Sequence, residues 1–239
     1  MVVRAIGRWK QPTALAKAPS ESFANSFWTV ISYVRSAPGF QVVLARSFLF
    51  FLFISAIPAL MPVLVLKVFH LSSFNLGLLF TSVGAGSVAG AAFIVPWLRA
   101  RFSPESITLS ANLLIVLAYA LMALARPTEA VFFAAGLAGV GWTLSASELW
   151  VAAQRTLPNW ARSRLNATLI MISQGGMAVG GVIWGYAATI GRASYTLFGV
   201  AVLFLTSLLL TGRLYTLDNL SSRDTTTDAS AGAARGAQV

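Results

Sequence analysis

An acid inside a long apolar stretch is the first place to look for chemistry, and Glu148 occupies such a place, within Ala130 to Ala153. A carboxylate in hydrocarbon is costly, so it pairs with a cation, turns toward water or takes up a proton. An acid that changes protonation state in that setting can couple proton flow to solute movement. Helical steps of four, three and four place Gly141, Ser145, Glu148 and Ala152 on one face, which is read as lining a water-filled cavity. Glu148 also precedes Gln154 by six residues, about 9 Å of helix, within reach of Arg155, Arg162 and Arg164. An ion pair at the membrane edge and a substrate or proton role are therefore both open.

Asn112, Gln174 and Asn166 are further polar groups in apolar surroundings. Glu148, Ser145, Asn112 and Gln174 form the candidate substrate or proton site. The ordinary alternative for each amide is an interhelical hydrogen bond worth roughly 0.6 kcal/mol. Other chemistries are excluded by composition: there is no cysteine and one histidine, His70, which falls between apolar stretches beside Ser72 and Ser73. No thiolate site, His-rich metal site or His-based triad can be assembled, and a single membrane carboxylate gives no paired-acid site. No catalytic residue, metal or cofactor is expected, and the chain does not read as an enzyme.

The elements that must position these groups are apolar helices. The chain has 239 residues, 57% hydrophobic and 10% charged, where soluble domains carry about a quarter charged residues. Crossing a hydrocarbon core takes roughly 20 apolar helical residues. Six stretches have that length: 45–66, 74–98, 106–125, 130–153, 165–190 and 194–214. Alternating polar and apolar strands of a barrel are missing. The expected fold is all-α, a polytopic membrane protein with six transmembrane helices over 44–215. Residues 1–43 read as a cytoplasmic segment with an amphipathic helix at about 23–37, where Phe23, Phe27, Val30, Ile31 and Val34 recur at helical spacing. Residues 216–239, rich in Ser, Thr, Ala, Asp and Gly, read as a disordered tail. The links are short, which predicts that consecutive helices are antiparallel neighbours.

Orientation follows from the basic residues. With both termini on one side, Arg35, Arg46, Arg99, Arg101, Arg155, Arg162, Arg164, Arg213 and Arg223 fall there, against Lys67, Arg126 and Arg192 opposite. That excess predicts cytoplasmic termini in a multi-pass protein of the cell (inner) membrane. The formal charge of +10 is thus largely a topology signal, and no nucleic acid partner is expected. Ser82, Gly86 and Gly90 on the second stretch, with Gly176 and Gly180, and Gly181 and Gly185, on the fifth, read as flat faces for helix packing or gating. Pro58, Pro62 and Pro96 are expected to kink their helices. Trp97, Trp150, Trp160 and Trp184 read as interfacial anchors, whereas Trp142 is too central for that role.

The stretch Leu44-Ala45-Arg46-Ser47-Phe48-Leu49-Phe50-Phe51-Leu52-Phe53, followed by Ser55-Ala56-Ile57-Pro58-Ala59-Leu60-Met61-Pro62, resembles the seventh helix of major facilitator transporters. The branch it is most similar to is that of transmembrane secretion effectors, which includes enterobactin-type exporters. The loop Leu157-Pro158-Asn159-Trp160-Ala161-Arg162-Ser163-Arg164, leading into the glycine-rich fifth stretch, is a second match. The resemblance covers residues 27–214 and implies half of a twelve-helix carrier that works by alternating access, exporting a small molecule at the expense of an ion gradient. It implies as partners the lipid bilayer, a small-molecule substrate and an N-terminal six-helix half or a second copy. Arg99-Ala100-Arg101 stands where the superfamily often has an acidic and basic turn, yet no acid follows before Glu105. The alternative reading is a non-transporting truncated carrier, or a membrane scaffold acting through its glycine faces.

Overall fold

A computed structural model describes residues 31–125, 127–157 and 162–214, with the side chains of 211–214 outside that description. Residues 31–36, in a unit separate from the rest, are helical. The remainder of the expected amphipathic helix, the C-terminal tail, Trp160 and the Pro158 loop lie outside the described residues. From Pro38 onward the described chain forms six helices long and apolar enough to cross a membrane, with no strand among them. We label them α1 (Pro38–Val68), α2 (Ser73–Arg99), α3 (Pro104–Leu124), α4 (Thr128–Thr156), α5 (Arg162–Ile190) and α6 (Ala193–Leu214). The chain is a polytopic all-α membrane protein.

Helix starts follow local chemistry. At the start of α3, Ser103 is extended and its hydroxyl accepts from the Ser106 N–H at 3.3 Å, Pro104 sits in the first turn, and Glu105 meets the positive end of the helix dipole. The helix therefore begins two residues before the apolar run itself. α4 and α5 each have 29 residues, about 44 Å of helix, so they exceed the hydrocarbon thickness and must tilt or project.

Proline disturbs α1 and α2 in different ways. Pro58 has no N–H for the Ile54 carbonyl, and α1 breaks to a turn at Ser55 before resuming over Ala56–Val63. Its last turn, Leu64–Val68, is a π-helix. In α2, the turn ahead of Pro96 widens into a π-helix over Gly90–Ile94, and the Val95 N–H reaches back to the Gly90 carbonyl.

Packing departs from the expectation of consecutive neighbours. α1 lies chiefly against α5, α2 against α4, and α3 against both α4 and α6, so α3 and α4 are the consecutive pair in broad contact. Small residues decide this, because in lipid close backbone approach drives association more than loop length does. A Cβ on Gly86 would strike the Gly136 carbonyl, and one on Gly139 the Val83 carbonyl, which fixes α2 on α4. Gly141 lies against Ala111 and Ile115 of α3, while Gly176 and Gly180 lie against the Phe48 and Leu52 carbonyls of α1. The core between them holds Ile54, Ile57, Leu60, Ile115, Tyr119, Ala135 and Phe204. Leu109, Leu113 and Leu117 form an exposed apolar stripe on α3, suited to lipid.

Candidate functional site

Among the described residues, two ion pairs join helices of the bundle. Glu148 is 2% exposed and its Oε1 accepts from the Arg99 Nε at 2.6 Å, joining α4 to the last turn of α2. Arg46 donates from both Nη atoms to Glu105, at 2.8 and 2.6 Å, joining α1 to the first turn of α3. A two-pronged guanidinium pair fixes geometry as well as energy. The expectation that Glu148 pairs with Arg155, Arg162 or Arg164 is corrected: the cation is Arg99, brought over by the α2 and α4 packing. The acid missing beside Arg99 in the sequence is thereby supplied from another helix. Arg155, Arg162 and Arg164 are exposed at the adjoining ends of α4 and α5. Arg101 stands over Trp97, its Cζ 4.4 Å from the ring centroid.

The polar face of α4 also turns out differently. Gly141, Ser145 and Glu148 are buried, and the Ser145 hydroxyl donates to the Asn112 Oδ1 of α3 at 2.6 Å. Lacking a side chain, Gly141 admits α3 so closely that this face packs instead of opening to water. Asn112 and Ser145 are spent on each other, and a void of about 20 Å³ touches Asn112, beside Arg46, Thr108 and Ser207. Gln154 donates to Asn166 at 2.7 Å, pinning the end of α4 to the start of α5.

The neighbouring face of α4 lines an open cavity of about 640 Å³ instead, with Trp142, Thr143, Ser147 and Trp150. Ser47 and Phe51 of α1, Arg99 of α2, and Leu169, Ser173 and Gln174 of α5 complete its walls. Of the four candidate site residues named from the sequence, Gln174 reaches this cavity and Glu148 touches it through Arg99. Ser47, Phe51, Ser173 and the two tryptophans carried no signal, since a serine or aromatic residue in a membrane helix is ordinary. Arg46 did carry one, a cation at the head of an apolar run, yet it served only as a topology mark.

The break in α1 is held from both sides. The Leu52 carbonyl accepts from the Ser55 hydroxyl at 2.7 Å and the Trp184 indole N–H at 2.8 Å, and the Phe53 carbonyl accepts from the Tyr119 hydroxyl at 2.8 Å. Trp184, 7% exposed and stacked on Phe53 with ring centroids 5.8 Å apart, is a packing residue and not an interfacial anchor. Of the glycine faces, Gly86, Gly90, Gly176 and Gly180 meet neighbouring helices, and Ser82 offers its backbone carbonyl to Gly136. Gly181 and Gly185 meet nothing within 4 Å, so they belong to another side of α5.

Apolar helices around an open, polar-edged cavity, with two ion pairs at one end among the described residues, define a class: a multi-pass transport protein. The chain belongs to the transmembrane secretion effector family of the major facilitator superfamily, whose family model matches residues 1–233. No curated protein matches it. This is a family of transporters, not of enzymes.

Proposed function

We propose that the chain is the C-terminal six-helix half of a proton-coupled efflux carrier of the cell (inner) membrane, with both termini cytoplasmic. The observation that carries this reading is the cavity walled by α1, α2, α4 and α5, open on one side and edged by Arg99. A second six-helix unit, either an N-terminal half or another copy, closes that side, as expected of carriers built from repeats around a central site. Gly181 and Gly185 of α5, half-buried and with nothing within 4 Å of a Cβ there, offer that unit a close approach. The excess of arginine at the Arg99 end marks it as the cytoplasmic one, so the cavity takes its solute from the cell interior. Glu148, buried and paired with Arg99, is the residue assigned to proton coupling, because loss of that pair would loosen α2 from α4.

The test is flux. Everted membrane vesicles bearing the chain, with and without a co-expressed six-helix N-terminal half, are energised with an inward-acid pH gradient and offered cationic, neutral and anionic fluorescent dyes. Accumulation of at least one dye, abolished by a protonophore and by Glu148→Gln, supports the carrier. No accumulation of any dye when both halves are present contradicts it.

A further inference from the structure

We infer that the cavity selects an amphipathic organic anion with a flat aromatic body, held by the Arg99 guanidinium at one end and by Trp142 and Trp150 along its length. This rests on the carrier reading above and specifies its substrate class. Three observations carry it. Arg99 lines the cavity with 41% of its side chain exposed, whereas its partner Glu148 is 2% exposed, so the cavity meets the cation and not the acid. Glu148 engages Nε, and of the five N–H donors of a guanidinium those on the two Nη atoms have no partner among the described residues. These donors form a fork suited to a carboxylate, sulfonate or phosphate. Among the described residues the lining contains no Asp or Glu, so no acid there attracts a cation.

The aromatic part of the ligand follows from α4. Trp142, Ala146 and Trp150 succeed one another at four-residue steps, all lining the cavity. The two indoles stand about 12 Å apart along the helix axis, with only a methyl group between them. That leaves a slot for a fused ring, with indole surface on either side, and Phe51 of α1 adds a further aromatic face to the lining. Ser47, Ser173 and Gln174 are the groups able to hydrogen-bond polar substituents.

The probes are 2-naphthoate, 2-naphthamide and 2-naphthylmethylammonium, equal in ring and different in charge. They are titrated against the full chain in phosphatidylcholine nanodiscs, with tryptophan fluorescence and equilibrium dialysis as readouts. Naphthoate is expected to bind about tenfold tighter than the amide, and the ammonium weakest. Arg99→Gln is expected to bring naphthoate to within about twofold of the amide. Because that variant also strands Glu148, a second one is decisive: Glu148→Gln releases the guanidinium and is expected to tighten naphthoate about threefold without changing the amide, a gain that misfolding cannot mimic. Phosphatidylglycerol in the discs should leave naphthoate affinity unchanged; a tenfold loss would show that lipid headgroups occupy the site and overturn the inference. Equal affinity for all three probes, preference for the ammonium, weaker naphthoate binding by Glu148→Gln, or no binding at all would each overturn it too. Dye flux without charge preference would sink this inference and leave the carrier standing, while charge-selective binding without flux would do the reverse.

Discussion

Arg99 Nε donates to Glu148 Oε1 at 2.6 Å, tying together residues 49 positions apart and closing α2 against α4. The acid is buried and the base is two-fifths exposed, so the two partners are not equivalent. Removing the base strands a carboxylate in an apolar setting, whereas removing the acid leaves a guanidinium that still reaches water. Arg99→Gln should therefore destabilise the protein by roughly 1–3 kcal/mol in mixed-micelle unfolding, and more than Glu148→Gln does. Adding Glu148→Gln to Arg99→Gln should recover most of the loss. A double variant no more stable than Arg99→Gln alone would mean that the stranded acid is not the cause.

Gly180 and Gly181 are adjacent in sequence and opposite in consequence. A Cβ at Gly180 would run into the Leu52 carbonyl and the Ser55 hydroxyl, and backbone cannot retreat cheaply. Gly180→Ala should cost roughly 1–3 kcal/mol. Gly181→Ala, facing open space, should be neutral or stabilising by up to about 1 kcal/mol through helix propensity alone. Thermal unfolding of the two variants side by side measures the difference, and equal effects would contradict the α1 and α5 packing.

Tyr119 and Trp184 both cap carbonyls at the break in α1, from α3 and α5 respectively. Tyr119→Phe keeps the ring and removes one hydrogen bond, so it should cost roughly 0.6–2 kcal/mol and raise hydrogen exchange locally in residues 52–57. Exchange that rises uniformly along the chain, or not at all, would deny the break its special dependence on this hydroxyl.

Arg46 and Glu105 offer a comparison at the same end of the bundle. Their pair is two-pronged, and both side chains are less than one-fifth exposed. A double-mutant cycle with Arg46→Gln and Glu105→Gln should give a coupling of roughly 0.5–3 kcal/mol. A coupling near zero would identify the contact as an unproductive surface pair.

The six helices were legible because lipid demands length and apolarity, and both are properties of a run of residues rather than of their partners. The partners were not. Glu148 announced that it needed a cation, but Arg155, Arg162 and Arg164 are near in sequence, and only the packing of α2 on α4 brings in Arg99. The glycines gave the same difficulty: Gly180 and Gly181 differ by about 100° around the helix, and sequence alone does not say which meets α1. Short links suggested consecutive neighbours, yet the small residues pair α1 with α5 and α2 with α4. The polar face built from Gly141, Ser145 and Glu148 was correctly grouped, but its small residues invited α3 in and kept water out. The cavity opened one step round the helix, at Trp142 and Trp150, where residue types are unremarkable for a membrane protein. The π turn at Gly90–Ile94 had Pro96 as its warning, though proline indicates a disturbance and not its form.

A carrier requires that water reach the cavity from the Arg99 side while the rest of the bundle sits in lipid. The natural sequence contains no cysteine, so single cysteines can be placed without a background. Gln174 lies in the cavity wall about 18 Å along α5 from Arg162, and Leu117 is half-exposed on the apolar stripe of α3. In sealed membrane vesicles, Gln174→Cys and Leu117→Cys are exposed to a charged, membrane-impermeant maleimide applied at the Arg99 side. A thiol ionises and reacts in water but not in hydrocarbon, so Cys at 174 should react at least about tenfold faster than Cys at 117. Equal rates, or faster labelling at 117, would contradict the account.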